Sequence, residues 1–242
     1  MTAALLQVRN VSKRFGSLVV LDDLSFDVDG GTALGIVGPN GAGKTTLLDL
    51  VAGDTRPERG QVLFDGRDVT RLAAHARCHL GIGRTAQVPR PFEGLTTFEN
   101  VLVGANFGSG DRLDTTPERA ALATLDRANL LAKANVPAAQ LTLLERKRLE
   151  LARALAVQPR LLLLDEIAGG LTEAEVHELV VTIKEIKAAG VTIVWIEHIV
   201  HALLSVVDRM MAIDYGRKLI EGDPDAVMNS AEVRQVYLGA DV

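Results

Sequence analysis

The texture of apolar and polar residues changes along the chain. Near the start, "LLQVRNV" and "LSFDVDG" alternate apolar with polar, the period of antiparallel strands that keep one face wet. "TALGIVG", Thr32 to Gly38, is instead a continuous apolar run closed by glycine, which predicts a strand buried on both faces of a parallel sheet. "KTTLLDLVAG" then carries leucines at helical spacing and stops at Gly53, a residue suited to a helix C-terminus. "RGQVLFDGRDV" reads as a short hairpin near a sheet edge, with "DG" as its turn.

From about Pro91 to Val157 the pattern is mostly helical. Thr97 is placed to cap "FENVLVGA", and "TPERAALATLDRANLLAKA" reads as an Ala/Leu-rich helix that starts with proline. The sheet resumes at "RLLLLDE", and "TEAEVHELVVTIKEIKAAG" is a capped amphipathic helix closed by Gly190. "VTIVWIEH" is another buried strand, followed by a helix, the strand "RMMAID", a hairpin around "YGRK" and a terminal helical segment. This order predicts an α/β fold with a mainly parallel core sheet, an N-terminal antiparallel β region and an inserted helical lobe. Residues 1–242 then form a single domain, with 1–86 and 158–242 as the core and 87–157 as the lobe. No internal repeat or low-complexity linker interrupts it.

Composition narrows the picture. With 242 residues, 48% of them hydrophobic and 24% charged, the chain has the length for one large core or a core with a smaller lobe. A single cysteine, Cys78, excludes an internal disulfide and a cysteine-based zinc site, and it reads as a structural thiol. "MTAALLQVRN" lacks a basic region followed by a long apolar run, and no segment approaches the roughly 18 apolar residues of a membrane span. A cytoplasmic protein whose membrane role runs through a partner is the expectation. The net charge of −5 speaks against a dedicated nucleic-acid binder, so no nucleic-acid partner is expected.

The sharpest chemical signal is "GPNGAGKTT", Gly38 to Thr46, which fits G-x-x-x-x-G-K-[ST] and lies between a buried strand and a helix. Gly38, Gly41 and Gly43, with Pro39, Asn40 and Ala42, let the backbone wrap closely around phosphate oxygens, and the helix N-terminus faces the same charge. Lys44 would reach the β and γ phosphates of ATP, Thr45 would complete the motif and place its hydroxyl on Mg²⁺, and Thr46, which follows it, is a further candidate for binding the nucleotide. "LLLLDE" supplies the acidic element. Asp165 would bind Mg²⁺ directly or through water, and Glu166 would accept a proton from the attacking water or orient it. His198, at the end of "VTIVWIEH", is expected to project towards the γ-phosphate, whereas His75, His79, His177 and His201 read as ordinary histidines.

Set beside Gln87 in "GRTAQVPRPF" and the segment "LTLLERKRLELARAL", these elements make the chain resemble the ATP-binding subunit of an ABC transporter along nearly its whole length. The resemblance implies that Phe15 in "SKRFG" stacks on adenine, although a strand-end core aromatic would also fit there. It implies that Gln87 touches Mg²⁺ and water and leads into a lobe that faces a membrane subunit; a solvated loop amide is the plainer alternative. "GRTAQVPRPF", "RLELARAL", "LLLLDE", "IEH" and the ending "VYLGADV" look most like subunits of importers for branched-chain amino acids and related polar solutes. With that ending, no large regulatory extension is expected.

In this family a signature reading L-S-G-G-Q closes over the ATP of the opposite subunit in a head-to-tail dimer. Aligned from Arg153-Ala154-Leu155, Leu141 and Thr142 match the leading pair, while Leu143, Leu144 and Glu145 replace Gly-Gly-Gln. Thr142 keeps a hydroxyl, the two leucines add bulk, and Glu145 adds negative charge beside a phosphate. Ile167, Thr172 and Ile199 depart from the family's usual proline, aspartate or asparagine, and aspartate. Because Lys44, Asp165, Glu166 and His198 are all present, the chain's own site is expected to hydrolyse ATP when a partner supplies an intact signature. The resemblance thus implies a heterodimer with a second ATPase, bound to transmembrane permease subunits at the cytoplasmic face of the membrane and served indirectly by an extracytoplasmic solute-binding protein. The alternative is a nucleotide-dependent regulatory or clamp protein with little turnover, outside any transporter.

Overall fold

The computed structural model describes residues 4–108 and 115–238. Part of the expected lobe, 109–114, lies outside them, as do Met1 to Ala3 and the last four residues of "VYLGADV". Two sheets form. The first contains β1 (Ala4–Phe15) and β2 (Leu18–Asp29), joined antiparallel; the second begins with β3 (Ala33–Val37). Next come β4 (Arg59–Phe64) and β5 (Arg67–Asp68), which extend the first sheet to the order β2-β1-β4-β5. The expected "DG" turn links them, Asp65 and Gly66 having φ of 52° and 73°, as a two-residue hairpin with both angles positive requires.

The remaining strands, β6 (Ile82–Arg84), β7 (Leu161–Asp165), β8 (Thr192–Ile196), β9 (Arg209–Asp214) and β10 (Arg217–Gly222), join β3 in the order β10-β9-β3-β8-β7-β6. Every neighbouring pair is parallel except β9 with β10. β3, β7 and β8 are buried at every residue, because both of their faces are covered. Successive side chains go to opposite layers. Leu161 and Leu163 meet Leu34, Ile36 and the antiparallel sheet, whereas Leu162 and Leu164 meet Trp195, Met210 and the helices on the other side.

Nine helices complete the described residues: α1 (Lys44–Ala52), α2 (Ala74–Leu80), α3 (Thr97–Phe107), α4 (Pro117–Arg127), α5 (Leu143–Ala156), α6 (Glu173–Ala188), α7 (Val200–Leu204), α8 (Pro224–Met228) and α9 (Ala231–Leu238). α3, α4 and α5 share a third apolar cluster that includes Val101, Ala105, Leu125 and Leu149. α5 also turns Leu151, Ala154 and Leu155 into the cluster beneath the parallel sheet. One helix therefore packs both ways, so a movement of its axis is felt in both clusters.

Some boundaries differ from the sequence expectation. Thr96, not Thr97, caps α3: Thr96 and Glu99 form a reciprocal capping box. Thr97 is instead fully buried, its hydroxyl donating to the Val136 carbonyl at 2.9 Å. The Ala/Leu-rich helix ends at Arg127, because Asn129 adopts a φ of 54°, and Leu131–Lys133 make a separate 3-10 turn. α2 escapes sequence reading because Ala73, which precedes it, provides no side-chain cap.

Candidate functional site

The loop between β3 and α1 is forced close to its surroundings by its glycines. A Cβ on Gly38, at φ 155°, would lie 2.2 Å from the Ile213 carbonyl oxygen, and one on Gly43, at φ 99°, 2.6 Å from that of Val20. α1 starts on Gly43 without a side-chain cap, which leaves its first N–H groups directed at the loop's hollow. Asn40 and Gly41 are exposed, Pro39 and Thr46 half-buried, and Ala42 buried. Lys44 is buried, and its ammonium donates to the carbonyls of Gly38 at 2.7 Å and Pro39 at 2.9 Å. Burial pushes its pKa down, opposed by the carboxylates of Glu166 and Asp165.

Exposed Thr45 lines a depression together with Gln87, Arg84, Asp49, Asp54 and Asp165. Asp165 ends β7 at 0% exposure. One of its carboxylate oxygens lies 3.3 Å from the Arg84 guanidinium, and the other, Oδ1, has no hydrogen-bond partner among the described residues. Burial raises its pKa, Arg84 opposes that rise, and Glu166 and Asp49 add to it. An unpartnered buried carboxylate oxygen beside an exposed hydroxyl is the donor chemistry of a hard cation such as Mg²⁺, so the residues present fit that ion. Sequence reasoning missed Arg84, which also pairs with Asp49 and Asp54, both at 2.6 Å.

Glu166 follows directly with a φ of 47°, a left-handed conformation that costs a non-glycine residue roughly 1–3 kcal/mol and persists only where its surroundings hold it. They do so here. Its N–H donates to the Ile196 carbonyl at 2.9 Å, and its carboxylate lies between Nε2 of His198 at 2.6 Å and Nε2 of Gln87 at 2.5 Å. The parallel register of Asp165 with Ile196 brings the ends of β7 and β8 level, which carries His198 to Glu166. Behind them, buried Glu197 accepts from the N–H groups of Ala168 at 2.6 Å and His198 at 3.3 Å. Its own pKa is raised by burial, against the pull of those donors.

Lys147 of α5 was also not anticipated. It is buried, and its ammonium donates to the carbonyls of Gln87 at 2.9 Å and Glu166 at 3.3 Å. Burial lowers its pKa, while Glu197, Glu166, Glu150 and Asp165 act to raise it. The signal for it was spacing alone: Lys147 falls on the same helical stripe as buried Leu151 and Ala154.

Phe15 lies at the end of β1 and is 53% exposed, with the Lys13 ammonium 5.1 Å from its ring centre, so it is not a core aromatic. It pairs with Leu18, two residues before the Val20 carbonyl that crowds Gly43.

Thr142 to Glu145 are arranged differently. Thr142 caps α5, its hydroxyl accepting from the Glu145 N–H at 3.3 Å, while the Glu145 carboxylate accepts from the Thr142 N–H at 2.9 Å. Glu145 also pairs with Lys133 at 3.1 Å, and the Thr142 N–H, ahead of Lys133, holds its carboxyl below the usual range. The negative charge expected at the signature is thus partly neutralised within the lobe. Leu143 is exposed and Leu144 half-buried; Cδ2 of Leu143 lies 3.3 Å from the point where Gly170 would carry a Cβ. Ile167 is fully buried, Thr172 caps α6 in a box with Glu175, and Ile199 immediately precedes α7.

Among the described residues no helix is long and apolar enough to cross a membrane. The family model described as ABC transporter matches residues 21–169. The chain is 33% identical to the high-affinity branched-chain amino acid transport ATP-binding protein BraF of Pseudomonas aeruginosa, over 99% of each chain. It is 34% identical to the lipopolysaccharide export system ATP-binding protein LptB of Acidithiobacillus ferridurans, over 97% of each. The ADP conformation of MJ1267, an ATP-binding cassette of an ABC transporter, superposes with a TM-score of 0.88 at 28% identity, covering 98% of this chain and 100% of that one.

Proposed function

This chain belongs to the ABC transporter family as an ATP-hydrolysing, ATP-binding subunit, and we propose that it powers an importer for branched-chain amino acids or related polar solutes. The observation that carries the hydrolytic reading is the Glu166 carboxylate held between Gln87 and His198, next to buried Asp165. In this reading the N–H groups of the Gly38–Gly43 loop and of α1 bind the ATP phosphates, and Lys44 neutralises charge at the β and γ positions. Thr45, Gln87 and Asp165 would hold Mg²⁺, which would offset the negative charge developing on the phosphates. Glu166 orients the attacking water and takes its proton, with Gln87 and His198 fixing the carboxylate's direction. Phe15 stacks on the adenine.

The assembly we propose is a head-to-tail dimer with a second ATPase, in which Thr142 to Glu145 face the partner's ATP. Residues 87–157 act as the lobe between the nucleotide-binding parts, 1–86 and 158–242, and transmembrane permease subunits at the cytoplasmic face. An extracytoplasmic solute-binding protein acts through those permeases. Similar identity to an LptB protein favours lipopolysaccharide export as the second reading. Vesicles containing the transporter that copurifies with this chain separate the two. ATP-dependent uptake of leucine or a related polar solute is expected; ATPase activity stimulated by lipopolysaccharide, without any such uptake, would overturn the importer reading.

A further inference from the structure

α5 does two things that are usually separate. Its N-terminus carries Thr142 to Glu145, and one turn further on Lys147 reaches out of the helix to the backbone of two other segments, at Gln87 and Glu166. The same helix grips the glutamine segment elsewhere: Glu150 accepts from the Arg90 N–H at 2.7 Å, and Arg153 donates to the Arg90 carbonyl at 2.8 Å. Only Lys147, among these, also spans to Glu166. Its target there is the carbonyl of the residue in the left-handed conformation, which also accepts from the Gly169 N–H at 3.3 Å and whose N–H is fixed by Ile196. With both peptide groups of Glu166 held, the direction in which its side chain leaves the backbone is set.

We propose that Lys147 is a positioning residue that sets the backbones of Glu166 and Gln87 from α5, so that the chain's own hydrolytic carboxylate responds to what docks at the N-terminus of that helix. The physical basis is continuity. Leu149 and Leu151 anchor α5 in two apolar clusters, which favours its moving as a rigid rod, and the ammonium of buried Lys147 bridges that rod to both loops. A lysine suits the task because its three donors can serve two carbonyls at once, where an apolar side chain of similar length such as methionine offers none. A partner's nucleotide drawing the start of α5 forward would thus shift Glu166 in this chain. The proposal rests on the reading of Glu166 as the hydrolytic base.

The test uses Lys147→Met and Lys147→Arg, each in the assembled transporter and in the isolated full chain. In the complex, Lys147→Met should lower kcat for ATP roughly tenfold to a hundredfold with KM changed less than about threefold, and Lys147→Arg should restore most of the rate. In the isolated chain, Lys147→Met should speed amide exchange in the segments around Gln87 and Glu166 together, while α5 stays protected. An unchanged kcat, an equal loss in both variants accompanied by loss of protection throughout α5, or no change in exchange at either loop would overturn the proposal. If the wild-type complex shows no ATPase activity, the hydrolytic reading fails, and the exchange experiment still decides whether Lys147 sets the two loops.

Discussion

The two polar regions that the sequence links to phosphate are built on opposite principles. Around the Gly38–Thr46 loop, polar groups are left open or joined across distant elements: Asp165 keeps a buried oxygen without a partner, and Glu166 depends on Gln87 and His198 from two other segments. At the start of α5 the groups satisfy each other, Thr142 with Glu145 and Glu145 with Lys133. A region that is incomplete alone has unfavourable free energy that a ligand relieves, whereas a self-capped helix is stable without one. The difference supports the proposal that the first region captures nucleotide and the second is a preformed surface.

The largest effect should come from Glu166→Gln. In the assembled transporter its ATPase rate is expected to fall by about 10²–10⁴, the usual contribution of a general base, with ATP binding retained. Equally low activity in wild type and mutant would remove the contrast and favour a nucleotide-dependent switch. Asp165→Asn tests the openness of the same region through stability. An acid whose folded pKa is raised loses folding stability as pH climbs from its ordinary value, 3.8, through the folded value, so the ionised form is a burden at neutral pH. Without Mg²⁺ or nucleotide, Asp165→Asn should raise the Tm at pH 7 by about 2–4 °C, on the order of 1 kcal/mol, and flatten its decline above pH 4. Thermal unfolding across that range decides it. A lower Tm would mean that Arg84 compensates the charge in full.

How much was legible follows the same division. The phosphate loop, the two strand-end acids and His198 could be placed because each ends a buried strand, and parallel register brings strand ends level. Local cap chemistry was visible too: Thr172 and Gly190 bound α6 as their residue types suggest, while the cap of α3 was displaced by one residue where two threonines compete. Arg84 and Glu197 could not be read, and Lys147 left only its helical spacing as a signal, because their partners lie 19 or more positions away or are backbone atoms that carry no residue identity. A buried lysine on an apolar helix stripe looks like a surface residue until the carbonyls it serves are folded against it.

A change far smaller than that of Glu166→Gln separates the two principles most cleanly. Replacing Leu143, Leu144 and Glu145 by Gly, Gly and Gln removes the carboxylate from the α5 capping box and from its pair with Lys133. It also puts two poor helix formers in the first turn, at about 1 kcal/mol for an interior glycine and less near an end. Stability of the isolated chain should therefore fall, by about 1–2 kcal/mol in denaturant unfolding. The same change strips the Leu143 side chain from Gly170 and removes a negative charge beside Thr142, whose hydroxyl still accepts from the N–H of residue 145. ATPase activity of the assembled dimer should rise severalfold, so stability and turnover move in opposite directions. If both fall together, the start of α5 serves only its own helix, and the partner's ATP is closed by other groups.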